Sequence, residues 1–446
     1  MKKYDVVVIG GGPAGLVTAV TAKKFYPEKS VAVIRREDIG LVPCGIPYVF
    51  NALNSVEANI MPIEPAKNLG VEFIFDDAVD VDVKLKVVKT KNNGDIAYDK
   101  LVFATGSTPV LPKIEGIERE GVYTVSKYMN DVKKLYEAVK DAENVVIIGG
   151  GFIGVEVGEQ IARSGKKVRI VEMMDQLLPA AFDREFAAIA EDEMRKLGVE
   201  LYLGSTVKAI RGDGRVSGVE LADGRVIDAD LVIVSVGYRP NIELAKKAGL
   251  RVSIGNRIWV DEYGRTSVKD IYAVGDCSEE KDFFTRETSR VMLASTASFG
   301  ARIVGANLFA LKVVRVNKGT IGVFSTKIGG ISLGAAGLTE EAARKEGFDV
   351  VVGYGESFNR HPVGLPGSAK TKVKLIFGRE SGVILGGQIA GGLEVGEAVN
   401  LIALAIQNNM TAVELDTIQI GTHPLLTSAP TTHPIILAAE DALRKM

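Results

Sequence analysis

Two glycine-rich turns in the sequence share a spacing typical of nucleotide-binding chemistry. Each turn reads G-x-G-x-x-G, follows an apolar run at 4–9 or 144–148, and leads into a helical stretch. The six glycines are Gly10, Gly12, Gly15, Gly149, Gly151 and Gly154. In this pattern the first glycine makes a tight turn, the second lets the backbone approach a pyrophosphate, and the third lets helix and strand pack closely. The sequence therefore predicts two dinucleotide sites, each with phosphates at a helix N-terminus.

An acidic residue after the second turn predicts which dinucleotide that turn binds. Glu172 ends the apolar run 167–171 and lies 172 − 149 = 23 residues after Gly149. This is near the ~20-residue offset of an acid that hydrogen-bonds a ribose 2′-hydroxyl. A carboxylate there repels a 2′-phosphate, and the residues that follow, 173–175, contain no arginine. The pattern predicts NADH rather than NADPH at this site.

The elements around the two turns also repeat. Hairpin signals at 93–94 and 223–224 favour positive φ, and each precedes an apolar strand that ends in glycine, at Gly106 or Gly237. The predicted fold class is α/β, with two doubly wound, Rossmann-like dinucleotide-binding domains, and an α+β domain follows after about residue 320. In that third domain three lysines alternate, as on the solvated face of a strand: Lys370, Lys372 and Lys374.

Length and composition exclude several classes of protein. The 446 residues suffice for about three domains, and a net charge of −2 lacks the basic excess of a nucleic-acid binder. Two cysteines cannot form a disulfide framework. No apolar run reaches the ~18–20 residues of a membrane span. We therefore expect a cytoplasmic protein with no nucleic-acid partner, no membrane partner and no metal site.

Three further motifs complete a resemblance to a known family. Ala104-Thr105-Gly106 and the stretches 237–241 and 272–276 accompany the two glycine turns in a fixed order. In order and spacing, the chain resembles the FAD-dependent pyridine nucleotide–disulfide oxidoreductase family over essentially its full length. The resemblance implies FAD in the first half, NAD(H) in the second half and a homodimer formed through the C-terminal domain. It places an FAD-binding domain, an NAD-binding domain and an interface domain at 1–115 with 245–320, 116–244 and 321–446.

The same resemblance assigns the cofactor contacts. Asp276 would hydrogen-bond ribityl hydroxyls, the helix containing 292–294 would direct its positive end at the flavin, and Glu156 would lie beside nicotinamide and flavin. Arg35 stands where the family usually has an acid, so we expect it to stack on adenine or face phosphates, with Glu37 as the nearest acid. Besides the six glycines, the expected contacts are Pro13, Ala14, Arg35, Val79, Ala104, Thr105, Gly106, Ile153, Glu156, Glu172, Gly237, Asp276 and Ala294.

Cys44 is the residue expected to carry the reaction. It lies in the stretch 41–48, where the family places a redox cysteine facing the flavin. Two-cysteine members have Cys-x4-Cys, whereas the second position here is Val49. The stretch therefore resembles the single-cysteine branch of coenzyme A-disulfide reductases, NADH oxidases and peroxidases, and NADH-dependent sulfur reductases. The chemistry needs a thiolate, and helix amides can lower the pKa of a thiol. Cys277 is expected to pack in the interior.

Departures from this branch bear on the substrate. Pro13 stands where the peroxidases and oxidases have a histidine, which disfavours peroxide chemistry. Gly40 replaces a serine of the coenzyme A-disulfide members, and no tyrosine follows Tyr354, which disfavours coenzyme A specificity. The prediction is NADH-dependent reduction of a disulfide, persulfide or polysulfide through Cys44. The alternatives are reduction of oxygen at the flavin and electron transfer to a protein partner.

Two C-terminal histidines are candidates for a general acid. His423 and His433 each stand in Thr-His-Pro. Two-cysteine members use a His-Pro of the partner subunit, with a glutamate five positions after the histidine, but those positions here are Ser428 and Ala438. A general-acid role for either histidine is a hypothesis, and the alternative is a histidine at the dimer interface or on the surface.

Overall fold

The computed structural model describes residues 1–314 and 317–446. Residues 315 and 316, inside the predicted FAD-binding segment 245–320, lie outside the described residues. Two largely parallel sheets and one antiparallel sheet, each with its helices, account for most of the described chain. The predicted fold class is confirmed, and the exact domain limits stay a prediction. None of the described helices is long and apolar enough to cross a bilayer.

The first sheet combines two distant parts of the chain. Its parallel core pairs Ile271–Ala273 with residues 101–103, so a late strand completes a sheet begun at the N-terminus. Val6, Val7 and Val8 are fully buried, which is why this strand reads as a continuous apolar run. The strands are Lys2–Ile9, Val31–Arg35, Val71–Phe75, Ala78–Asp82, Val87–Thr90, Asp95–Phe103 and Ile271–Ala273. Two of the helices, Pro13–Phe25 and Ala294–Asn307, pack against each other on one face.

The second sheet has five parallel strands ordered as in a second doubly wound domain. In spatial order they are Glu200–Tyr202, Lys167–Val171, Asn144–Ile148, Leu231–Val234 and Val122–Thr124. The helices of this part are Met129–Asp141, Phe152–Arg163 and Arg184–Lys196. An antiparallel sheet of Val207–Arg211, Gly218–Leu221 and Val226–Asp228 follows. Ser107–Pro109 pairs with Tyr238–Pro240, and this short ribbon links the two dinucleotide-binding regions.

The C-terminal part of the chain forms a five-stranded antiparallel sheet, the sheet of the third domain, and helices cover it closely. A Cβ added at Gly353 or Gly355 would overlap the backbone of the last helix, so these glycines let that helix lie directly on the sheet. In spatial order the strands are Val323–Ile328, Ile331–Gly337, Ile384–Gly391, Lys370–Gly378 and Val350–Phe358. The helices are Glu340–Lys345, Val395–Gln407, Ala412–Asp416 and Pro434–Leu443. The remaining short helices of the described residues are Pro43–Phe50, Glu57–Asn59, Glu64–Asn68, Glu243–Lys247, Gly275–Cys277 and Pro430–Thr432.

Lys374 joins the third domain to the second. The expectation of a solvated lysine is wrong here, because the Lys374 side chain is 2% exposed. Its Nζ lies 2.9 Å from Asp183 Oδ2, 2.6 Å from Glu185 Oε1 and 2.9 Å from Glu340 Oε2. Asp183 and Glu185 belong to the second domain, so three carboxylates from two domains meet at one buried ammonium. The contact fixes how the third domain sits against the cavity described below.

Replacing this lysine should weaken the domain contact. We expect Lys374→Met to lower the free energy of unfolding of the third domain by about 3 kcal/mol, because three carboxylates would lose a shared buried cation. Urea denaturation followed by circular dichroism measures the change. Lys372→Met is the matched control, because its side chain is 52% exposed, and it should shift the free energy by less than about 0.5 kcal/mol. Equal effects of both substitutions would contradict the prediction.

Candidate functional site

A cavity of about 2000 Å³ lies between the three domains and brings the two glycine turns together. Both parallel sheets contribute their carboxyl-terminal edges to its wall, which is where such sheets bind ligands. The predicted site residues that line it are Gly10, Gly12, Pro13, Ala14, Arg35, Cys44, Ala104, Thr105, Gly106, Gly149, Gly151, Ile153, Glu156, Glu172, Gly237, Asp276 and Ala294. This cavity is the candidate active site.

The glycine turn of the first domain is shaped for a ligand that approaches the backbone. Gly10 has φ +114°, and a Cβ on it would overlap the carbonyl oxygen of Ala104. Gly15 lies behind the wall, where a Cβ would overlap the carbonyl oxygen of Gly10. A Cβ on Gly12 would meet nothing within 4 Å. The outer two glycines are therefore required by packing, and the middle one leaves open space for a ligand.

The second glycine turn repeats this geometry. Gly149 has φ +113°, and a Cβ on it would lie 2.5 Å from the carbonyl oxygen of Ser235. Gly154 packs against Gly149 behind the wall, whereas a Cβ on Gly151 would meet nothing within 4 Å. The two halves of the chain thus present equivalent cradles to one cavity.

The helices that begin at the cavity include three long ones whose N-cap residue makes no side-chain cap. They are Pro13–Phe25, Phe152–Arg163 and Ala294–Asn307. Their first backbone N–H groups are available to a ligand, and the partial positive charge of each N-terminus favours an anionic group. The first two helices follow the glycine turns and suit two pyrophosphates. The third begins at Ala294, where the resemblance places the flavin ring.

Asp276 lies at the cavity wall as an ionised carboxylate. It accepts hydrogen bonds from Ser107 Oγ at 2.6 Å and Lys127 Nζ at 3.0 Å. Burial by itself raises its pKa, but the charge of Lys127 and these hydrogen bonds outweigh burial and hold the pKa below its ordinary value. Lys127 was not among the predicted site residues. Lys127 belongs to the second domain but to none of the sequence motifs, so the sequence does not predict its contact with Asp276.

Arg35 presents an unsatisfied donor to the first cradle. Its side chain is buried at the end of the second strand, and a Cβ on Gly11 or Gly40 would overlap it. Arg35 Nη1 has no hydrogen-bond partner among residues 1–314 and 317–446. A buried unpaired N–H is costly, and a phosphate or ribose oxygen would satisfy it. Together with the glycine cradle and the uncapped helix, this orphan donor fits the adenosine half of FAD.

Val79 differs from its predicted position. It does not line the cavity, and residues 76–78 form that part of the wall instead. The carbonyl oxygen of Val79 accepts a hydrogen bond from Lys247 Nζ at 3.2 Å. The structure thus places Val79 outside the cavity wall, and its backbone contact with adenine stays a prediction.

Glu172 is held at the rim of the second cradle by backbone donors. Its Oε2 accepts a hydrogen bond from the N–H of Gly150 at 2.6 Å, and its Oε1 accepts one from the N–H of Met174 at 2.8 Å. Met173, the next residue, is 67% exposed. In such cradles an acid at this offset accepts a hydrogen bond from the ribose 2′-hydroxyl. This geometry supports a preference for NADH.

Cys44 is the second residue of the short helix Pro43–Phe50, and its side chain is exposed to the cavity. Asn59 fixes this helix from behind. Its Nδ2 donates to the carbonyl oxygen of Val42 at 3.0 Å, and it packs so closely that a Cβ on Gly45 would overlap its side chain. Asn59 was missed from the sequence, since a lone asparagine carries no signal. The cysteine is therefore held on a rigid part of the wall.

The pKa of the Cys44 thiol differs in direction from the expectation. Helix amides were expected to lower it, but burial and the charge of Glu156 raise it above its ordinary value, against a smaller opposing effect of Lys127. The helix is a short 3-10 helix of eight residues that contains Pro47, and the backbone's lowering of the pKa is the smallest of the effects on this thiol. Cys44 is consequently a thiol at neutral pH in the protein without cofactors.

Alkylation should distinguish the two cysteines and report this pKa. We expect iodoacetamide to modify Cys44 in the folded protein, with a rate that keeps rising with pH beyond the usual midpoint of a free cysteine near ~8.5. Cys277 is fully buried and should react only after unfolding. Peptide mass spectrometry over a pH series measures both. A Cys44 midpoint below that of free cysteine would contradict the raised pKa.

The two candidate histidines do not reach Cys44 within one chain. Neither His423 nor His433 lines the cavity. His423 Nδ1 accepts a hydrogen bond from the N–H of Leu425 at 3.2 Å. His433 precedes the last helix, its Nδ1 has no partner among the described residues, and burial lowers its pKa. The hypothesis that either one acts as a general acid finds no support within a single chain.

Known proteins resemble this chain over nearly its whole length. A family model described as pyridine nucleotide-disulphide oxidoreductase matches residues 4–301, and the dimerisation domain of that family matches 323–434. The NADH oxidase of Methanocaldococcus jannaschii is 34% identical over 99% of each chain. The NAD(P)H coenzyme A polysulfide/persulfide reductase of Pyrococcus horikoshii is 35% identical over 88% of each. The solved NAD-dependent persulfide reductase of A. fulgidus has a TM-score of 0.91 and 33% identity, covering 99% of this chain and 83% of that one.

Proposed function

The chain belongs to the pyridine nucleotide-disulphide oxidoreductase family, and we propose that it uses NADH to reduce a disulfide, persulfide or polysulfide through Cys44. It is an oxidoreductase that uses FAD and NAD(H). One observation carries the proposal on substrate. Among the described residues, Cys44 is the only cysteine that lines the cavity where the two dinucleotide cradles meet. A lone accessible thiol there suits thiol–disulfide exchange with an external substrate.

Different residues around the cavity would bind NADH, bind FAD and attack the substrate. Bound FAD supplies two-electron transfer between NADH and a sulfur atom. The cradle of Gly149 and Gly151, with Glu172 at its rim, binds and orients NADH. The cradle of Gly10 and Gly12 holds the adenosine half of FAD. Asp276, kept ionised by Lys127, would accept hydrogen bonds from the ribityl chain of FAD. Cys44 attacks the substrate and holds it as a mixed disulfide until reduction releases it.

Oxygen as the acceptor is the second candidate. The M. jannaschii relative is named NADH oxidase, which favours it. Against it, Pro13 occupies the position in the first turn where oxidases and peroxidases of the resembling branch have a histidine. Cys44 is exposed to the cavity, as attack on a sulfur substrate requires. We therefore propose sulfur reduction as the main activity, with a homodimer formed through 323–434.

The choice of acceptor is tested with the FAD-loaded protein. Under anaerobic conditions, NADH oxidation should proceed with polysulfide or coenzyme A disulfide added. Without a sulfur acceptor, turnover should stop once the bound flavin has been reduced. Admission of air should then raise the rate only slightly. Idle protein under anaerobic conditions and rapid turnover in air would replace the sulfur proposal with the oxidase.

A further inference from the structure

The segment 177–183 connects the second glycine cradle to the third domain. Its residues 178–180 line the cavity together with Glu172. Because an acid at the position of Glu172 binds the adenosine ribose of NADH, the segment borders the adenosine half of that cofactor. Leu177 and Phe182 are buried, so the segment belongs to the packed interior. Where it lies against the cradle therefore depends on the contacts at its two ends.

The first end of the segment is held by the second glycine turn. The N–H of Leu178 donates to the carbonyl oxygen of Gly150 at 2.9 Å, and the N–H of Gly150 donates to Glu172 Oε2 at 2.6 Å. A Cβ on Gly150 would lie 2.7 Å from Leu177 Cδ2 and 3.0 Å from Glu172 Cβ. One glycine thus contacts both the segment and the carboxylate expected at the ribose. A shift of the segment would therefore displace that carboxylate.

Leu178 has a backbone conformation that residues with a side chain seldom adopt. Its φ is +53°, in the left-handed region. Such a conformation persists only where the surroundings enforce it, and it is concentrated at functional sites. The carbonyl oxygen of Leu178 accepts hydrogen bonds from the N–H groups of Ala181 and Phe182 at 3.1 and 3.3 Å. The segment is thus a tight, closed turn, and a contact at its second end acts on its first end.

The second end of the segment is held by the third domain through Asp183. The N–H of Asp183 donates to Gln388 Oε1 at 2.9 Å, and Gln388 Nε2 donates to Asp183 Oδ2 at 2.6 Å. The same oxygen accepts from the N–H of Glu340 at 3.1 Å and lies 2.9 Å from Lys374 Nζ. Burial raises the pKa of Asp183, but the hydrogen bonds from Lys374 and Glu340 outweigh burial and hold the pKa below its ordinary value. The side chain is therefore a carboxylate at neutral pH.

The position of Asp183 in the sequence predicts a different use of its side chain. It is the N-cap residue of Arg184–Lys196, and an aspartate at an N-cap ordinarily accepts a hydrogen bond from its own helix. No side-chain cap forms at this helix. The carboxylate contacts the third domain instead, so capping does not account for it and the contact between domains does.

We propose that Asp183 is a positioning residue for NADH, which holds the segment 177–183, and through it Glu172, in the arrangement that binds the adenosine half of the cofactor. The third domain thereby contributes to cofactor binding by the second domain. The inference requires neither Cys44 nor a sulfur substrate, because it concerns only the binding of NADH and the reduction of bound FAD. Its failure would therefore leave the proposed function unaffected.

Reduced nicotinamide mononucleotide distinguishes this role from a general loss of stability. It carries the reacting ring but lacks the adenosine half, so Glu172 does not bind it. FAD-loaded protein is mixed anaerobically with increasing concentrations of either reductant, and the loss of flavin absorbance is followed by stopped flow. For NADH the traces give an apparent Kd and a limiting rate, and for the mononucleotide they give a second-order rate constant.

The affinity for NADH should fall while the reduction step stays intact. We expect Asp183→Ala to raise the apparent Kd for NADH at least about fivefold, because a smaller fraction of the protein then holds the segment in the binding arrangement. The limiting rate with NADH and the second-order rate constant for the mononucleotide should each change by less than about twofold.

Glu185→Gln is the matched control. Glu185 Oε1 accepts a hydrogen bond from Lys374 Nζ at 2.6 Å, but Glu185 lies beyond the segment 177–183, on the helix that follows. The control removes one negative charge beside Lys374 and leaves the contacts of Asp183 in place. Its apparent Kd for NADH should stay within about twofold of the wild type. Asp183→Asn keeps an oxygen that can accept from the N–H of Glu340, so its apparent Kd should lie between those of Asp183→Ala and the wild type.

Each outcome decides the proposal. An unchanged apparent Kd for NADH in Asp183→Ala, or equal losses with NADH and the mononucleotide, would overturn the positioning role. An effect of Glu185→Gln as large as that of Asp183→Ala would also overturn it, because loss of charge around Lys374 would then account for both. If Asp183→Ala does not retain FAD, the same comparison is made with Gln388→Leu, which removes two hydrogen bonds to Asp183 from the third domain. Equal effects on NADH and the mononucleotide in that variant would overturn the proposal.

Discussion

Cys44→Ser is expected to abolish NADH-dependent reduction of disulfide and polysulfide substrates, lowering the rate by at least about 10³-fold. A serine hydroxyl is scarcely ionised at neutral pH and forms no stable bond to sulfur, so no mixed disulfide can hold the substrate at the cavity wall. NADH binding depends on the second cradle, about Gly149, and not on Cys44. The variant should therefore still oxidise NADH in proportion to its FAD in a single anaerobic turnover.

Cys277→Ser is the matched control for this prediction. Cys277 follows Asp276 directly, but it is fully buried and its sulfur lies 3.4 Å from the carbonyl oxygen of Val274, away from the cavity. Activity of the control should stay within about twofold of the wild type. Steady-state rates with polysulfide under anaerobic conditions provide the measurement. Substantial sulfur reduction by Cys44→Ser would show that the thiol is not the nucleophile.

The second large effect concerns the nicotinamide cofactor. The double substitution Glu172→Ala with Met173→Arg should change the ratio of kcat/KM for NADPH over NADH by about 10³-fold in favour of NADPH. Loss of the carboxylate removes a charged hydrogen bond to the 2′-hydroxyl of NADH, worth about 2 kcal/mol. It also removes repulsion of a 2′-phosphate, and the new arginine forms a charge-assisted bond to that phosphate.

Two single variants separate these contributions. Glu172→Gln keeps the size of the side chain at a position where it accepts from Gly150, and it should lose much of the discrimination against NADPH through charge alone. Met173→Gln adds no charge and should leave the preference unchanged, although Met173 is exposed at the rim of the cavity. Kinetics with both cofactors supply the ratios. A wild type that uses NADPH as well as NADH would contradict the role of Glu172.

The sequence was sufficient for the features set by backbone geometry. Gly10 and Gly149 have positive φ and lie against carbonyl oxygens, and such constraints leave a spacing that can be read without a structure. Glu172 was found in the same way, because its offset from the turn follows from the length of one βαβ unit. The spacing of glycines and strands in the sequence follows from the backbone geometry of each βαβ unit. For this reason the fold and both glycine cradles could be predicted from the sequence.

The remaining features depend on contacts between distant segments. The sequence pattern predicts that Lys374 is a solvated strand residue. In the structure its ammonium is buried against the carboxylates of Asp183 and Glu185, nearly 200 positions earlier in the chain. Lys127 reaches Asp276 across 149 positions, and Asn59 holds the Cys44 helix from another loop. No spacing rule marks such pairs. The pKa of Cys44 was expected in the wrong direction for the same reason, since burial of the thiol and then the charge of Glu156, from a different domain, raise it.

The most direct test of the central claim is to isolate the mixed disulfide. FAD-loaded protein is incubated anaerobically with coenzyme A disulfide without NADH, digested under acidic conditions and analysed by peptide mass spectrometry. We expect the peptide containing Cys44 to carry one half of the substrate, and NADH added before digestion to remove it. Turnover with the same disulfide while Cys44 remains unmodified at every time point would show that Cys44 is not the nucleophile.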